Sequence, residues 1–263
     1  MPINLPKKVG TESEDAIFTS DDAVGTVQKE RLKQMPKKAL IVLSESSERK
    51  LVDLLSLRKY ALPFNSAFFH YITPSVHIDN DNNYLLVKIT IGAPVIAIMA
   101  EDLATVGVKS FLLMGTAGGL GKGLGIGDIS LCTKALRDEG TSHHYLKDSL
   151  FVEADKGLTL RLADQMKKEN LSFKTGGTWT TDALYRETRA EINKYSSIGI
   201  LTVEMEAAAL FAVAKKRRVP AAGIFVVSDR INGQRWTGMK EHALDEGFGK
   251  LARVAKIYGR LDI

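Results

Sequence analysis

The chain is built around a strand-to-helix join, which reads Gly199-Ile-Leu-Thr-Val-Glu-Met-Glu-Ala-Ala-Ala-Leu-Phe-Ala-Val-Ala-Lys-Lys-Arg-Arg218. Residues 200–203 form an apolar run typical of a strand, and residues 207–214 are mostly small and favour a helix. Glu204 and Glu206 stand at the join. Because the positive end of a helix dipole favours a carboxylate, these acids either simply begin the helix or grip the hydroxyl groups of a ligand.

The composition is that of an ordinary globular protein. The chain has 263 residues, of which 44% are apolar and 25% are charged, so it can bury a full core. We find no apolar run near the length of about 20 residues that a membrane span needs, and the N-terminus lacks a secretory pattern. A single cysteine, Cys132, permits neither an internal disulfide nor a cysteine-based metal site. We therefore expect a cytoplasmic protein that binds neither membrane nor metal.

The net charge of +5 raises the question of nucleic-acid binding. The basic residues are mixed with acids along the chain and match no known nucleic-acid motif. We therefore expect no nucleic-acid partner. A mildly basic surface can instead attract phosphate-like anions.

Apolar runs alternate with helical patterns along the chain. Strands are predicted at residues 39–43, 67–72, 84–90, 110–114, 129–133, 200–203 and 221–227, and residues 176–180 are predicted to form a short strand or a loop. Helices are predicted at residues 20–34, 49–58, 95–106, 158–170, 190–194, 207–214 and 240–258. Helices between strands act as crossover connections, which favours an α/β fold with a largely parallel sheet. Because no linker or repeat interrupts the pattern, we expect one domain over residues 1–263, with 1–36 as an N-terminal extension.

Three groups of candidate site residues follow predicted strands, where ligands bind in open α/β sheets. The first is Gly115-Thr116-Ala117-Gly118-Gly119, a predicted turn. Its N–H groups and the Thr116 hydroxyl suit an anion, although a turn that serves only packing fits equally well. The second is the pair of acids Glu204 and Glu206. The third is Asp229, which either acts as a general acid or caps the following turn.

A segment rich in aromatic and charged residues, 178–189, precedes the join. Trp179 or Tyr185 can stack on a flat ring, and its edge can be read by a polar side chain, Asp182, Arg186 or Glu187. The alternative is that both aromatic side chains belong to the core.

Five motifs resemble, in order and spacing, those of the nucleoside phosphorylase family. They are Gly115-Thr116-Ala117-Gly118-Gly119, Gly127-Asp128, Thr180-Thr181-Asp182-Ala183-Leu184-Tyr185, Val203-Glu204-Met205-Glu206-Ala207-Ala208 and Val227-Ser228-Asp229. The resemblance covers roughly residues 39–257. It implies a three-layer α/β/α fold around a mixed, partly closed sheet, and cleavage of an N-glycosidic bond by phosphate or water. It also implies a homo-dimer or homo-hexamer that needs no cofactor, with inorganic phosphate as co-substrate.

The resemblance further assigns roles to individual residues. Glu206 would hold the ribose hydroxyls, Met205 would pack under the sugar, and Glu204 would be the partner acid of the motif. Asp229 would protonate a purine base, so Asp229 and Glu206 are the expected catalytic residues. Gly115 and the neighbouring threonine would contribute to the phosphate site.

The chain departs from the family at its phosphate-binding arginines. Leu113-Met114 stands where the phosphorylases usually carry an arginine. The loop after the first strand contains Arg49 but no Gly-Asp-Pro-x-Arg pattern, and Arg137 is a second possible anion partner. A hydrolytic nucleosidase and a non-catalytic nucleoside-binding protein therefore remain alternatives. Asp229 favours a purine, and a uridine phosphorylase is the alternative for the base.

Overall fold

The computed structural model describes residues 15–72, 74–120, 123–232, 235–238 and 241–262. The elements up to residue 120 are α1 (Ser20–Ala23), β1 (Val24–Val27), α2 (Lys29–Gln34), β2 (Lys38–Val42), α3 (Glu45–Leu55), β3 (Arg58–Lys59), β4 (Phe64–Ser66), α4 (Phe69–Ile72), β5 (Ser75–Ile78), β6 (Leu85–Lys88), α5 (Ala93–Thr105) and β7 (Ser110–Leu120). Those that follow are β8 (Ile129–Asp138), α6 (Ser142–Tyr145), β9 (Phe151–Glu153), α7 (Lys156–Lys168), β10 (Lys174–Thr181), a 3₁₀ helix (Leu184–Arg186), α8 (Arg189–Ser197), β11 (Ile200–Glu204), α9 (Ala207–Arg217), β12 (Ala221–Asn232), β13 (Arg235–Thr237) and α10 (Glu241–Arg260).

The central sheet is mixed and partly closed. Among the described residues it has 11 strands, in the order β13-β12-β8-β10-β11-β7-β2-β6-β5-β3, and β9 pairs with β8. Since β12 also pairs with β7, the strands β12, β8, β10, β11 and β7 close into a ring. The remaining strands extend from β7 as an open sheet. This architecture agrees with the one that the resemblance implies. It corrects the expectation of a largely parallel sheet, because β12–β8 and β11–β7 are antiparallel.

Strand β7 joins the ring to the open sheet, and its glycines allow side chains of β11 and β12 to lie close to its backbone. Its first half pairs in parallel with β2, and its end pairs antiparallel with β11. A Cβ atom on Gly118 would lie 2.9 Å from Val203 Cγ1, and one on Gly119 would lie 2.8 Å from Val227 Cγ1. Residues 115–119 are therefore the continuation of a strand, and the prediction of a turn there was wrong.

Helices cover both faces of the sheet. One apolar cluster includes residues of α5 and α9, and a second includes residues of α3, α7 and α10. All residues from 207 to 214 are buried in α9, which explains their small size: the helix lies close to its neighbours. Packing on the sheet thus fixes where the join at Glu204 and Glu206 lies.

Most of the predicted strands and helices are confirmed within a few residues, but two predictions were wrong. The helix expected over residues 20–34 is interrupted by β1, whose β-branched residues pair antiparallel with β4. The strand expected over residues 67–72 contains helix α4. No helix in the described part of the chain is long and apolar enough to span a membrane.

Candidate active site

Gly118 lies between the two strands that carry the predicted acids. It pairs with Val203 of β11 on one side and with Asp229 of β12 on the other. A Cβ atom on Gly118 would lie 3.6 Å from Asp229 Oδ2, so the glycine leaves space beside that carboxylate. Glu204 follows Val203 directly, and since Gly118 belongs to the predicted group 115–119, the register brings all three predicted site regions to one place.

A cavity of about 520 Å³ opens at this place, and we call it the site cavity. Its walls come from the ends of four ring strands, the 3₁₀ helix and β13. The lining residues are Gly118, Thr181, Leu184, Tyr185, Glu187, Val203, Glu204, Met205, Asp229, Ile231 and Trp236. The volume suits a small molecule, and the wall combines apolar side chains with carboxylates.

Asp229 is half-buried and accepts hydrogen bonds at both carboxylate oxygens. Ser228 Oγ donates to Oδ1 at 2.6 Å, and Trp236 Nε1 donates to Oδ2 at 2.8 Å. The pairing of β12 with β7 shifts register between Val227 and Asp229. This irregularity changes the direction in which the side chains of β12 point from Asp229 onward.

Glu204 ends β11 and ties it to the start of α9. Its Oε1 accepts from the Thr180 hydroxyl at 2.6 Å and from the Thr178 hydroxyl at 3.4 Å. Its Oε2 accepts from the backbone N–H groups of Glu206 and Ala207 at 2.8 and 2.6 Å. Burial raises the pKa of Glu204, and these donors act in the opposite direction because they stabilise the carboxylate.

Glu206 is 3% exposed and lies at the N-terminus of α9. Its Oε1 accepts from the Gly92 backbone N–H at 2.7 Å, and its Oε2 accepts from that of Met205 at 3.1 Å. It is not among the described residues that line the site cavity, whereas the adjacent Met205 is. Burial raises the pKa of Glu206, and the charge of Glu204 raises it further. A ligand that donates hydrogen bonds would therefore favour the ionised form.

Glu187 lines the site cavity and is one of the three polar side chains that the sequence offered for reading the edge of a base. It is half-buried, and its pKa is raised to about 7 by burial first and then by Asp229 and Glu191. The cavity thus holds a carboxyl group that is partly protonated near neutral pH. The sequence offered only a weak signal, an acid within the charged segment 178–189.

The two tryptophans have opposite environments. Trp179 is 1% exposed, packs against Tyr195 and donates from Nε1 to Asp138 Oδ2 at 2.9 Å. This corrects its expected role in base binding, because the described residues around the cavity do not include it. Trp236, which sequence reasoning missed, is 68% exposed and lines the cavity. The signal was the dipeptide Asn232-Gly233, which favours a hairpin turn back toward Asp229.

The other predicted base contacts lie on the 3₁₀ helix. Tyr185 is 95% exposed and lines the site cavity, so it is available to stack on a ligand. Arg186 is exposed and is not among the described lining residues. Its role in base binding stays a prediction.

The predicted phosphate residues are dispersed. Gly115 lies in β7, a Cβ atom there would meet open space, and Thr116 is exposed. Arg49 is exposed on α3. Arg137 is 1% exposed, and its guanidinium donates to Ser142, Ser149 and backbone carbonyls of residues 146–149. Arg137 therefore holds its own loop together, which corrects its expected contact with phosphate.

Among the described residues, no cluster of three or more His, Cys, Asp or Glu side chains could hold an ion. The cavity instead offers carboxylates that can hold hydroxyl groups or exchange a proton.

The chain is similar in sequence to known nucleoside phosphorylases over part of its length. Guanosine phosphorylase of Halorubrum lacusprofundi is 31% identical over 141 residues, which cover 54% of this chain and 58% of that protein. The chain thus matches less than two thirds of the length of that relative. A DeoD-type purine nucleoside phosphorylase of Clostridium novyi is 31% identical over 166 residues, covering 62% of this chain and 70% of the relative.

Solved structures share the fold. The P. knowlesi homologue of P. falciparum PNP has a TM-score of 0.71 and 21% identity, with 88% of this chain and 92% of that chain covered. Uridine phosphorylase of Vibrio fischeri has a TM-score of 0.68 and 20% identity, with 87% and 91% covered. The family described as the phosphorylase superfamily matches residues 39–256. By its sequence and its fold, this chain is a member of the phosphorylase superfamily.

Proposed function

We propose that this protein cleaves the N-glycosidic bond of a purine ribonucleoside with phosphate, giving the free base and ribose 1-phosphate. The observation that carries the proposal is the row Val203–Gly118–Asp229. It sets the acid Asp229 and the acidic join after β11 on either side of one cavity of about 520 Å³. Membership of the phosphorylase superfamily supports the reaction class.

In this proposal the sugar lies over the join. Met205, which lines the cavity, packs against the ribose. In the proposed complex, Glu206 accepts hydrogen bonds from the ribose 2′- and 3′-hydroxyls in place of those from its backbone donors. Such charge-assisted hydrogen bonds orient the sugar and strengthen as positive charge develops on it.

The base lies toward Asp229. Breaking the bond leaves a ribosyl cation and an anionic base, and Asp229 protonates the departing ring. General acid help of this kind is worth on the order of 10²–10⁴ in rate. A purine is favoured because its ring nitrogens can take that proton, and because the relatives with 31% identity are named guanosine and purine nucleoside phosphorylases.

Phosphate would bind beside residues 115 and 116 of β7, where Gly115 borders open space and the Thr116 side chain is exposed. Arg49 on α3 is the proposed cation that binds phosphate.

A second candidate function, hydrolysis by water, is favoured by one observation. Met114 is completely buried at the position where the phosphorylases usually place an arginine.

The experiment is a nucleoside panel assayed with and without phosphate. Purified, phosphate-free protein is incubated with inosine, guanosine, adenosine and uridine, and base and ribose 1-phosphate are quantified. We expect base release from the purine nucleosides only when phosphate is present, with equimolar ribose 1-phosphate. Base release that ignores phosphate would replace the proposal with hydrolysis. Preference for uridine would overturn the purine assignment.

We also propose that the protein assembles as a homo-dimer or homo-hexamer. Light scattering coupled to size-exclusion chromatography measures the mass directly. A monomer at all concentrations would contradict this expectation.

A further inference from the structure

Trp236 is an exposed tryptophan beside the proposed acid, and the inference about it rests on the proposed function. It lies on β13, which pairs antiparallel with β12 in the register Ile231↔Trp236. Its side chain is 68% exposed although it lines the site cavity. A large apolar ring left this open beside a cavity commonly marks a binding surface.

The indole N–H holds Asp229. Nε1 donates to Oδ2 at 2.8 Å, while Ser228 Oγ holds Oδ1 at 2.6 Å. Two donors on opposite oxygens fix the plane of the carboxylate. Because a hydrogen bond is directional, the indole contributes to the position of Asp229.

The ring itself forms part of an apolar wall. Leu184, Tyr185 and Ile231 line the same cavity. Gly238 packs against the indole, where a Cβ atom would lie only 2.8 Å from Cη2. A glycine at position 238 therefore leaves room for the indole beside it.

We propose that Trp236 is a base-binding residue that also positions Asp229: the nucleobase packs against its ring, while its N–H holds the carboxylate toward the base. A two-ring purine covers more of the indole than a one-ring pyrimidine. Trp236 therefore contributes to selection of purine nucleosides. Stacking of a base on an aromatic side chain is lost when the ring is truncated to alanine.

Two variants separate the two roles. Trp236→Phe keeps an aromatic wall and removes the N–H, whereas Trp236→Ala removes both. Leu160→Ala is the control, because Leu160 is 53% exposed on α7 and is not among the described cavity residues. Steady-state kinetics are measured with inosine and uridine at saturating phosphate. Isothermal titration calorimetry with hypoxanthine in the absence of phosphate gives the Kd of every variant without turnover. Intrinsic fluorescence measured in the same titration shows whether Trp236 senses the bound base.

We expect Trp236→Phe to lower kcat for inosine about ten-fold and to change KM less than about three-fold. We expect Trp236→Ala to raise the Kd for hypoxanthine about ten-fold. It should also reduce kcat/KM more for inosine than for uridine. Hypoxanthine should change the fluorescence of the wild type and of Leu160→Ala, and this change should be absent in Trp236→Phe, in which the buried Trp179 remains.

The inference fails if the wild type turns over inosine and both Trp236 variants match it in kcat, KM and hypoxanthine affinity. It also fails if the fluorescence change persists in Trp236→Phe, since the signal then belongs to Trp179. These outcomes differ from failure of the proposed function, in which the wild type releases no base from any nucleoside with or without phosphate.

Discussion

The hydroxyl of Thr180 donates a 2.6 Å hydrogen bond to Glu204 Oε1 and accepts one of 3.0 Å from the backbone N–H of Ala208. One side chain on β10 therefore links the end of β11 to the first turn of α9. All three residues are buried, so water cannot replace these bonds. The acidic join is held by its neighbouring strand as well as by its own backbone.

This link predicts a stability effect at Thr180. Thr180→Val should lower the free energy of unfolding by about 1–3 kcal/mol, because it leaves the Ala208 N–H and one oxygen of Glu204 without this partner. Urea denaturation monitored by circular dichroism measures the change. Thr180→Ser keeps the hydroxyl and should lose clearly less. Equal losses in both variants would contradict the link.

Glu206 is expected to decide nucleoside binding. Glu206→Gln replaces an ionisable acceptor with a neutral amide, and kcat/KM for inosine should fall roughly a hundredfold, as for loss of charge-assisted hydrogen bonds. Glu206→Ala should abolish detectable binding. Isothermal titration with the nucleoside and thermal unfolding, measured together, separate lost binding from lost folding. If folded Glu206→Ala protein bound the nucleoside with wild-type affinity, the role of Glu206 in nucleoside binding would be contradicted.

Asp229 is expected to act through its proton. Asp229→Asn should lower kcat for inosine by about 10²–10⁴. With 7-methylguanosine, whose base carries a fixed positive charge and needs no proton to leave, the loss should be much smaller. Asp245→Asn, an exposed acid on α10, is the control. An equal loss with both nucleosides would mean that Asp229 does not serve as the acid.

Glu187 predicts a pH dependence of stability. Its pKa rises from 4.5 to about 7 on folding, so folding favours the protonated form. The stability that it contributes is fully present below about pH 4.5 and is lost as the pH rises through about 7. The melting temperature of Glu187→Gln minus that of the wild type should therefore increase over this window. Asp164→Asn, which changes an exposed acid on α7, should give a difference that does not vary in this way. A flat difference for Glu187→Gln would refute the shift.

Gly118 and Gly115 should respond differently to alanine. Gly118→Ala places a Cβ atom 2.9 Å from Val203 Cγ1 and should destabilise the fold by about 1–3 kcal/mol through overpacking. Gly115→Ala meets open space and should stay within about 0.5 kcal/mol of the wild type. Denaturant midpoints compare the two. If Gly118→Ala were as stable as Gly115→Ala, β7 and β11 would not pack closely at Gly118 and Val203.

The sequence alone determined which segments form most strands and helices, since an apolar run such as residues 200–203 and the small residues after it carry local preferences. It also placed Glu204 and Glu206 at the end of a strand, whereas Asp229, which was expected to follow a strand, lies within β12. The tertiary structure decided everything that depends on strand register. Ring closure through β12 and β7 made residues 115–119 a strand, turned Arg137 inward, and put Trp236 rather than Trp179 at the site cavity. Register is set by packing between residues far apart in the chain, which no local pattern encodes.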